Sequence, residues 1–414
     1  MTEPQTMLLL RNAHVLDVAA GEILADRSVL IQDGRITEID QAQRAAPQSA
    51  RVIDLKGLTL MPGLSDAHVH LTAATPDFAA LTRWSPSYVA ARAGDILEGM
   101  LMRGFTTVRD AGGADFGLAD AVEEGYLTGP RILFCGHALS QTGGHGDMRA
   151  RGENSFEGCF CCAGLGVICD GIAEVRRACR NEIRKGARQI KIMASGGVSS
   201  PTDRITSTQF SIEELKAAVE EADAATIYVM AHAYTARAIN RALDCGVRSI
   251  EHGNLLDETS IERFLKYDAF LVPTLATYHA LAEEGVAVGL PPDMHAKIFD
   301  VLDAGSRALE LAHRAGVKLV YGSDLLGAMH KRQLTEFALR GEIQRPIDVI
   351  RAATTNAAEL FGMVGEIGVV APGARADLLA IDGNPLEDLG VLQDPEHRLK
   401  LILKDGVIHK SSLG

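Results

Sequence analysis

The chain has 414 residues, 47% of them apolar and 23% charged, with a formal net charge of −13. That length suits one large domain with a smaller companion, or two ordinary domains. The acidic balance argues against a nucleic-acid or anionic-membrane partner, which would require a concentrated basic face, and points to a small ligand.

The first residues, MTEPQTMLLLRN, carry an acid where a secretion signal needs positive charge, and no later stretch reaches the ~20 apolar residues of a membrane span. Residues 7–60 then read as short strands and turns. LLLRNAHVLD, SVLIQDGRITEID with its Asp33-Gly34 turn, and RVIDLKGLTL alternate apolar and polar residues between turn signals. The same grammar returns in ARADLLAID at 374–382 and in LKLILKDGVIHK at 399–410, with a second Asp-Gly pair at 405–406. Residues 1–60 and 368–414 are therefore expected to form one composite β-sandwich domain, with 61–367 inserted between its halves.

The insertion opens with LMPGLSDAHVHL, which carries His68 and His70 two residues apart. Side chains at i and i+2 of a strand share a face, so both imidazoles can approach one cation. Strand and helix signals then alternate. Helical sequence at 87–102 leads to FTTVRDAGG, which Asp110 closes; 118–124 leads to RILFCGHALS and a long Gly-rich loop; 172–185 leads to QIKIMASGG. The segment 211–224 opens with a Ser211/Glu214 capping box and leads to IYVMAHAY. After it, 236–245 leads to RSIEHGN, 258–266 to AFLVPT and 293–315 to KLVYGSD, before helices at 333–344 and 347–360. Eight strands counted from HVHL, each followed by helical sequence, predict an α/β fold: a distorted (β/α)8 TIM-like barrel, with function at the C-terminal strand ends. The absence of a Gly-rich phosphate loop after the first strand disfavours a doubly wound sheet.

Seven cysteines, an odd number in a long chain, read as reduced cytoplasmic thiols. Four of them fall in GCFCCAGLGVIC, between Cys159 and Cys169. Adjacency of Cys161 and Cys162, without a second pair at finger spacing, favours partly buried thiols over a metal cluster.

Potential ligands recur at the predicted strand ends: Lys191 in strand four, His232 in strand five, His252 in strand six and Asp324 in strand eight. Lys191 lies between Ile190 and Ile192, so it points into the barrel, where a lone ammonium is costly. It can be neutral, carry a carboxylate, or pair with an acid.

PGLSDAHVHL, KIMASGG, AHAY, IEHGN and YGSD together resemble the amidohydrolase superfamily, over essentially the whole chain. The resemblance implies a metal-dependent hydrolase with two Zn2+ per chain. His68, His70 and Asp324 would hold one metal and His232 and His252 the other, with Lys191 as a bridging N6-carboxylysine. It further implies that metal-activated water attacks a C–N bond while Asp324 moves the proton to the leaving nitrogen.

GHALSQTGGHGD, KIMASGGVSSPTD and HAYT bring the resemblance closer to the prolidase-like and Xaa-Arg/Lys dipeptidase branch, which includes imidazolonepropionase-like and ochratoxin-hydrolysing relatives. There His145 and Tyr234 would contact the substrate carbonyl or α-carboxylate, with His137 in reserve. The expected substrates are dipeptides with a C-terminal proline or apolar residue, then N-acyl amino acids; Xaa-Arg/Lys dipeptides and cyclic amides are the alternatives. Asp115, Asp147, Glu153 and Asp203 lie on rim loops, where any could form an acidic pocket. A cytoplasmic homo-oligomer acting on a small-molecule or dipeptide substrate, with no nucleic-acid or membrane partner, completes the expectation.

Overall fold

The computed structural model describes residues 7–41, 45–153 and 164–413. Cys159, Cys161 and Cys162 lie outside the described residues. The chain divides into two compact units: residues through Asp66 with Gly99–Thr107 and Phe337 onward, and Ala67–Glu98 with Val108–Glu336. Its strands in chain order are β1 (Met7–Asp17), β2 (Glu22–Gln32), β3 (Arg35–Gln41), β4 (Arg51–Asp54), β5 (Thr59–Pro62), β6 (Leu64–Val69), β7 (Phe105–Asp110), β8 (Arg131–Leu133) and β9 (Ala138–Ser140). They continue as β10 (Gly166–Ile168), β11 (Gln189–Met193), β12 (Tyr228–Thr235), β13 (Ser249–Leu255), β14 (Phe270–Val272), β15 (Lys318–Leu319), β16 (Leu378–Ile381), β17 (Leu399–Lys404) and β18 (Val407–Ser411).

In the first unit the two chain ends build one sheet, ordered β18-β17-β16-β5-β1-β2-β3, with β4 also paired to β1. Alternation buries Leu10, Val15, Val29, Ile31, Leu60, Leu378, Leu401 and Leu403 in one shared core. Both Asp-Gly turns have positive φ at both residues, 51° and 76° at Asp33-Gly34 and 48° and 76° at Asp405-Gly406, as a two-residue type I′ hairpin requires. The turns also abut each other: a Cβ added to Gly34 would lie 2.8 Å from the Asp405 carbonyl oxygen.

Most of the TIM-like barrel falls in the second unit, with the first residues of β6 and β7 counted in the first. A seven-stranded sheet, β10-β9-β11-β12-β13-β14-β15, and a three-stranded sheet, β6-β7-β8, supply its wall. The sheets meet at both seams. The Arg188 amide donates to Phe134 O at 2.9 Å between the third and fourth barrel strands, and the Ala67 amide donates to Tyr321 O at 2.8 Å between the first and eighth. The capping box at Ser211 is present, with the Glu214 amide on Ser211 Oγ and the Glu214 carboxylate on the Ser211 amide.

Several elements differ from the sequence expectation. RILFCGHALS forms two short strands because Gly136 takes the left-handed conformation at φ 73°. The expected helix 293–315 is split into Pro292–Ile298 and Leu302–Ala315, with Asn254 Nδ2 holding the Val301 carbonyl at the break. Helices Pro346–Ala352 and Thr355–Phe361 replace one helix at 347–360, because the Thr354 hydroxyl takes the Ile350 carbonyl and competes with the ladder. The helix expected at 333–344 spans only Thr335–Gly341, after a 3-10 turn at Gly327–Arg332. Helix Leu275–Glu284 and strand β10 had no counterpart in the sequence reading. Among the described residues no helix is long and apolar enough to cross a membrane.

Candidate active site

His68 lies in β6 and His70 one residue past its end, Lys191 in β11, His232 and Tyr234 in β12, His252 in β13, and Asp324 in the segment after β15. His68, His70, His145, Lys191, His232, His252 and Asp324 line one cleft. The His68 ring centroid is 5.4 Å from that of His70 and 5.0 Å from that of His252, and the His252 centroid is 4.7 Å from that of His232. Asp324 Oδ1 lies 3.3 Å from His70 Nε2 and 3.5 Å from His68 Nε2, and Oδ2 lies 3.9 Å from His252 Nδ1.

Two of these side chains reach the cleft because the backbone breaks strand alternation. Parallel pairing sets Lys191 opposite Met230 and His232 opposite Glu251, so Glu251 faces the barrel interior with His232. Its neighbour His252 should then face outward. At φ 73° it turns inward instead, and Asp324 adopts φ 51°. Non-glycine residues in this region store strain of about 1–3 kcal/mol each, and such strain gathers at functional sites.

Each imidazole is oriented by a partner on one nitrogen. His70 Nδ1 donates to Gly112 O at 2.9 Å, and His232 Nε2 donates to Gly196 O at 3.1 Å. His68 Nδ1 meets Glu251 Oε2 at 2.8 Å, and His252 Nδ1 meets Thr274 Oγ1 at 2.8 Å. Asp110 organises the same rim: its carboxylate accepts from the amides of Leu71, Gly112 and Ala114.

The hydrogen bonds make the site fit a cation. A carbonyl can only accept, so His70 carries its proton on Nδ1, and the neutral ring turns the Nε2 lone pair toward the Asp324 carboxylate. The same holds for His68, whose Nδ1 faces a carboxylate. Lone pairs 3.3–3.5 Å from an anionic oxygen repel unless a proton or metal ion lies between them. The donor atoms of His68, His70 and Asp324 all lie within 4.8 Å of one another, so this group can hold a metal ion.

The titration directions of His68, His232 and His252 agree with neutral imidazoles. Burial, then the Lys191 charge, holds His68 well below its ordinary value. Burial, then His145, does the same for His232. Burial takes His252 down to about 3. At His70 burial also disfavours the cation, but the hydrogen bond and charge of Asp324 outweigh it and the pKa rises. Burial opposes ionisation of Asp324, and the surrounding histidines more than reverse it, so its pKa falls. Burial lowers Lys191, against the opposing pull of Glu251 and Asp324.

The Gly-rich loop before His145 is pinned by side chains. The His145 amide donates to Gln209 Oε1, the Gly146 amide to Ser140 Oγ, and the Gly143 amide to Asp147 Oδ2. The His145 ring stacks on His232 and bonds Ser200 Oγ through Nδ1 at 2.8 Å. Ser200 in turn donates to Asp203. Tyr234 is buried behind the cleft, stacked on His252, and its hydroxyl accepts from Tyr278 at 3.0 Å. Burial pushes the Tyr234 hydroxyl far above its ordinary value, so it keeps its proton. His137 pairs with Glu182 at 3.4 Å and is not among the cleft-lining residues.

Of the acidic rim residues, Asp147 lines the cleft but is gripped by Arg149 through Nε and Nη2. Asp203 lies behind His145, Asp115 caps helix Phe116–Glu123, and Glu153 accepts from the Ala150 amide. Apolar Phe78, Met148, Leu165, Ile168, Met193 and Leu326 complete the cleft. Sequence reasoning missed Glu251, Arg109, Thr274, Ser200 and Tyr278. Only Glu251, adjacent to His252 in IEHG, carried a local signal.

Residues 59–409 match the Amidohydrolase family. The chain belongs to the amidohydrolase family. This amidohydrolase is 33% identical over 404 residues to the ochratoxinase of Aspergillus niger, covering 93% of this chain and 83% of that one. Among solved structures, a prolidase in complex with N-methylphosphonate-L-proline is 48% identical with a TM-score of 0.96, covering 98% of this chain and 100% of the other. A Xaa-Pro dipeptidase with methionine in its active site is 28% identical with a TM-score of 0.86, over 98% and 100% of the two chains. The protein is thus an amide-cleaving hydrolase of the prolidase-like branch.

Proposed function

We propose that this amidohydrolase is a binuclear-zinc dipeptidase that cleaves the amide bond before a C-terminal proline or apolar residue, and that it also accepts N-acyl amino acids. The cleft lining carries the reading. Beside the polar cluster it offers Phe78, Met148, Leu165, Ile168 and Leu326, and its one further acid, Asp147, already has Arg149 as counter-charge. An apolar side chain finds a desolvated wall there, whereas a basic one finds no unengaged carboxylate among the cleft-lining residues outside the metal cluster. The prolidase relative at 48% identity adds support.

His68, His70 and Asp324 would hold one zinc, His232 and His252 the other, and Lys191, carboxylated by CO2 on its neutral amine, both. When bound, the cations polarise the scissile carbonyl and lower the pKa of water toward neutrality. Asp324, ionised across the working range, accepts a proton from the attacking water and delivers it to the leaving nitrogen, so that amide and water become acid and amine. His145, on the stacked wall, would contact the carbonyl or α-carboxylate, and Tyr234, buried behind His252, would be the hydroxyl donor from that side. The catalytic segment is taken as residues 61–367, the composite β-domain as 1–60 with 368–414, and the working form as a homo-oligomer.

A dipeptide library with varied C-terminal residues, assayed in zinc beside imidazolone and hydantoin compounds, tests the reading. Fastest turnover is expected for Xaa-Pro and Xaa-apolar dipeptides. Preference for Xaa-Arg or Xaa-Lys, or for the cyclic amides, overturns it.

A further inference from the structure

Beneath the cleft lies a charged cluster that the proposed chemistry does not use. Arg109 in β7 and Glu251 and Ser249 in β13 have no solvent exposure. Arg109 Nη2 donates to Glu251 Oε1 at 2.9 Å and Oε2 at 3.1 Å, and Nη1 donates to Ser249 Oγ at 3.0 Å and the Tyr228 hydroxyl at 3.4 Å. Its Nε donates to the Ala67 carbonyl at 2.7 Å. Ser249 Oγ donates to Glu251 Oε1 at 2.7 Å, and Glu251 Oε2 accepts from His68 Nδ1 at 2.8 Å.

Stability alone does not explain this arrangement. A buried ion pair is often matched or bettered by apolar residues of equal volume, because desolvating two charges consumes most of their attraction. The geometry has another consequence. Arg109 grips the carbonyl of Ala67, the residue just before His68, and through Glu251 it also grips the His68 ring. The peptide group that leads into His68 and the His68 ring are thus held from the same guanidinium. A carboxylate accepts only, so the His68 proton is confined to Nδ1 and the lone pair to Nε2, the nitrogen that faces Asp324.

We propose that Glu251, clamped by Arg109, is a positioning residue that fixes the tautomer and orientation of His68 for metal binding. This rests on the metal-site reading above. Glu251 touches neither substrate nor metal; it acts through His68. The rim histidines with neutral partners, His70 on a carbonyl and His252 on a hydroxyl, lack such a charged clamp, so the effect belongs to the position that His68 serves.

The test is zinc binding, measured by chelator competition and by metal content after dialysis, on wild type, Glu251→Gln, and the pair Arg109→Met/Glu251→Gln. The pair removes both charges together and keeps the experiment interpretable should the single variant misfold. Wild type is expected to retain two zinc ions. Each folded variant is expected to bind at one position roughly 10–100-fold more weakly, the usual size of a lost outer carboxylate. In a His68→Ala background, Glu251→Gln should add no further weakening; a merely structural role would weaken both backgrounds alike and refute the assignment. Wild-type protein without zinc overturns the metal reading and this one with it. Loaded wild type with equally tight variants overturns this one alone.

Discussion

The imidazoles of His145 and His232 stack with centroids 4.2 Å apart and planes 19° apart, so a residue from a Gly-rich loop and a residue from a barrel strand form one wall of the cleft. Gly197 makes the stack possible. A Cβ there would lie 2.2 Å from His145 Cε1 and 2.5 Å from Nδ1, both far inside contact distance. Gly197→Ala should therefore displace the His145 ring and lower kcat/KM by at least about tenfold, equivalent to ~1.4 kcal/mol of transition-state stabilisation, with zinc content unchanged. Unaltered kinetics would remove His145 from the substrate site.

Asp324 is held ionised by the histidines around it, and its Oδ1 lies 3.3 Å from His70 Nε2. Asp324→Asn keeps the shape but cannot accept a proton. Turnover should fall by roughly 10²–10⁴-fold, the usual contribution of a positioned acid–base group, while circular dichroism stays that of wild type. Near-normal turnover would exclude the proton-transfer role.

Lys191 is fully enclosed in the strand that pairs with β12. Lys191→Ala should empty at least one metal position, and short carboxylic acids should partly restore zinc and activity by occupying the space of the lost carboxylate. Metal analysis that finds wild-type zinc in the variant would rule out a bridging lysine.

Away from the cleft, Glu182 bonds Lys185 Nζ at 2.9 Å and His137 at 3.4 Å. Burial opposes its ionisation, but these partners outweigh it and its pKa falls below the ordinary 4.5. A carboxylate with a depressed folded pKa stabilises the fold fully above its unfolded value, and that contribution disappears as pH falls through the folded value. Thermal melts of wild type and Glu182→Gln should accordingly differ most near pH 7 and converge as pH drops below about 4.5. A gap that stays constant as pH falls from 7 to well below 4.5 would show that the charge does not matter there.

Much of the architecture was legible because it rests on local periodicity. Alternating strands at both chain ends, and the repeated strand-then-helix rhythm between them, required no knowledge of distant contacts. The capping box at Ser211 and the two Asp-Gly turns are likewise local, and both turns adopt the left-handed pairs that their residues favour. His68 and His70 share a face for the same reason. The helices split at Thr354 and at 299–301 were not legible, because a side chain competing for a backbone carbonyl leaves no trace in the apolar pattern.

What the sequence determined by itself was the family, the barrel and the order in which His, Lys and Asp residues arrive at its rim, since residue type and period 2 or 3.6 are properties of the chain alone. Only the tertiary structure decided which of those residues meet and what orients them. Glu251 and His252 are neighbours in one strand, and alternation would send them to opposite faces; a positive φ at His252 turns it inward beside Glu251. Arg109 is 142 residues from Glu251 and reaches it only because the barrel aims side chains of β7 and β13 at each other across its interior. Such long-range hydrogen bonds and backbone exceptions arise from packing, where several strands constrain one another at once, and no local window of the sequence contains them.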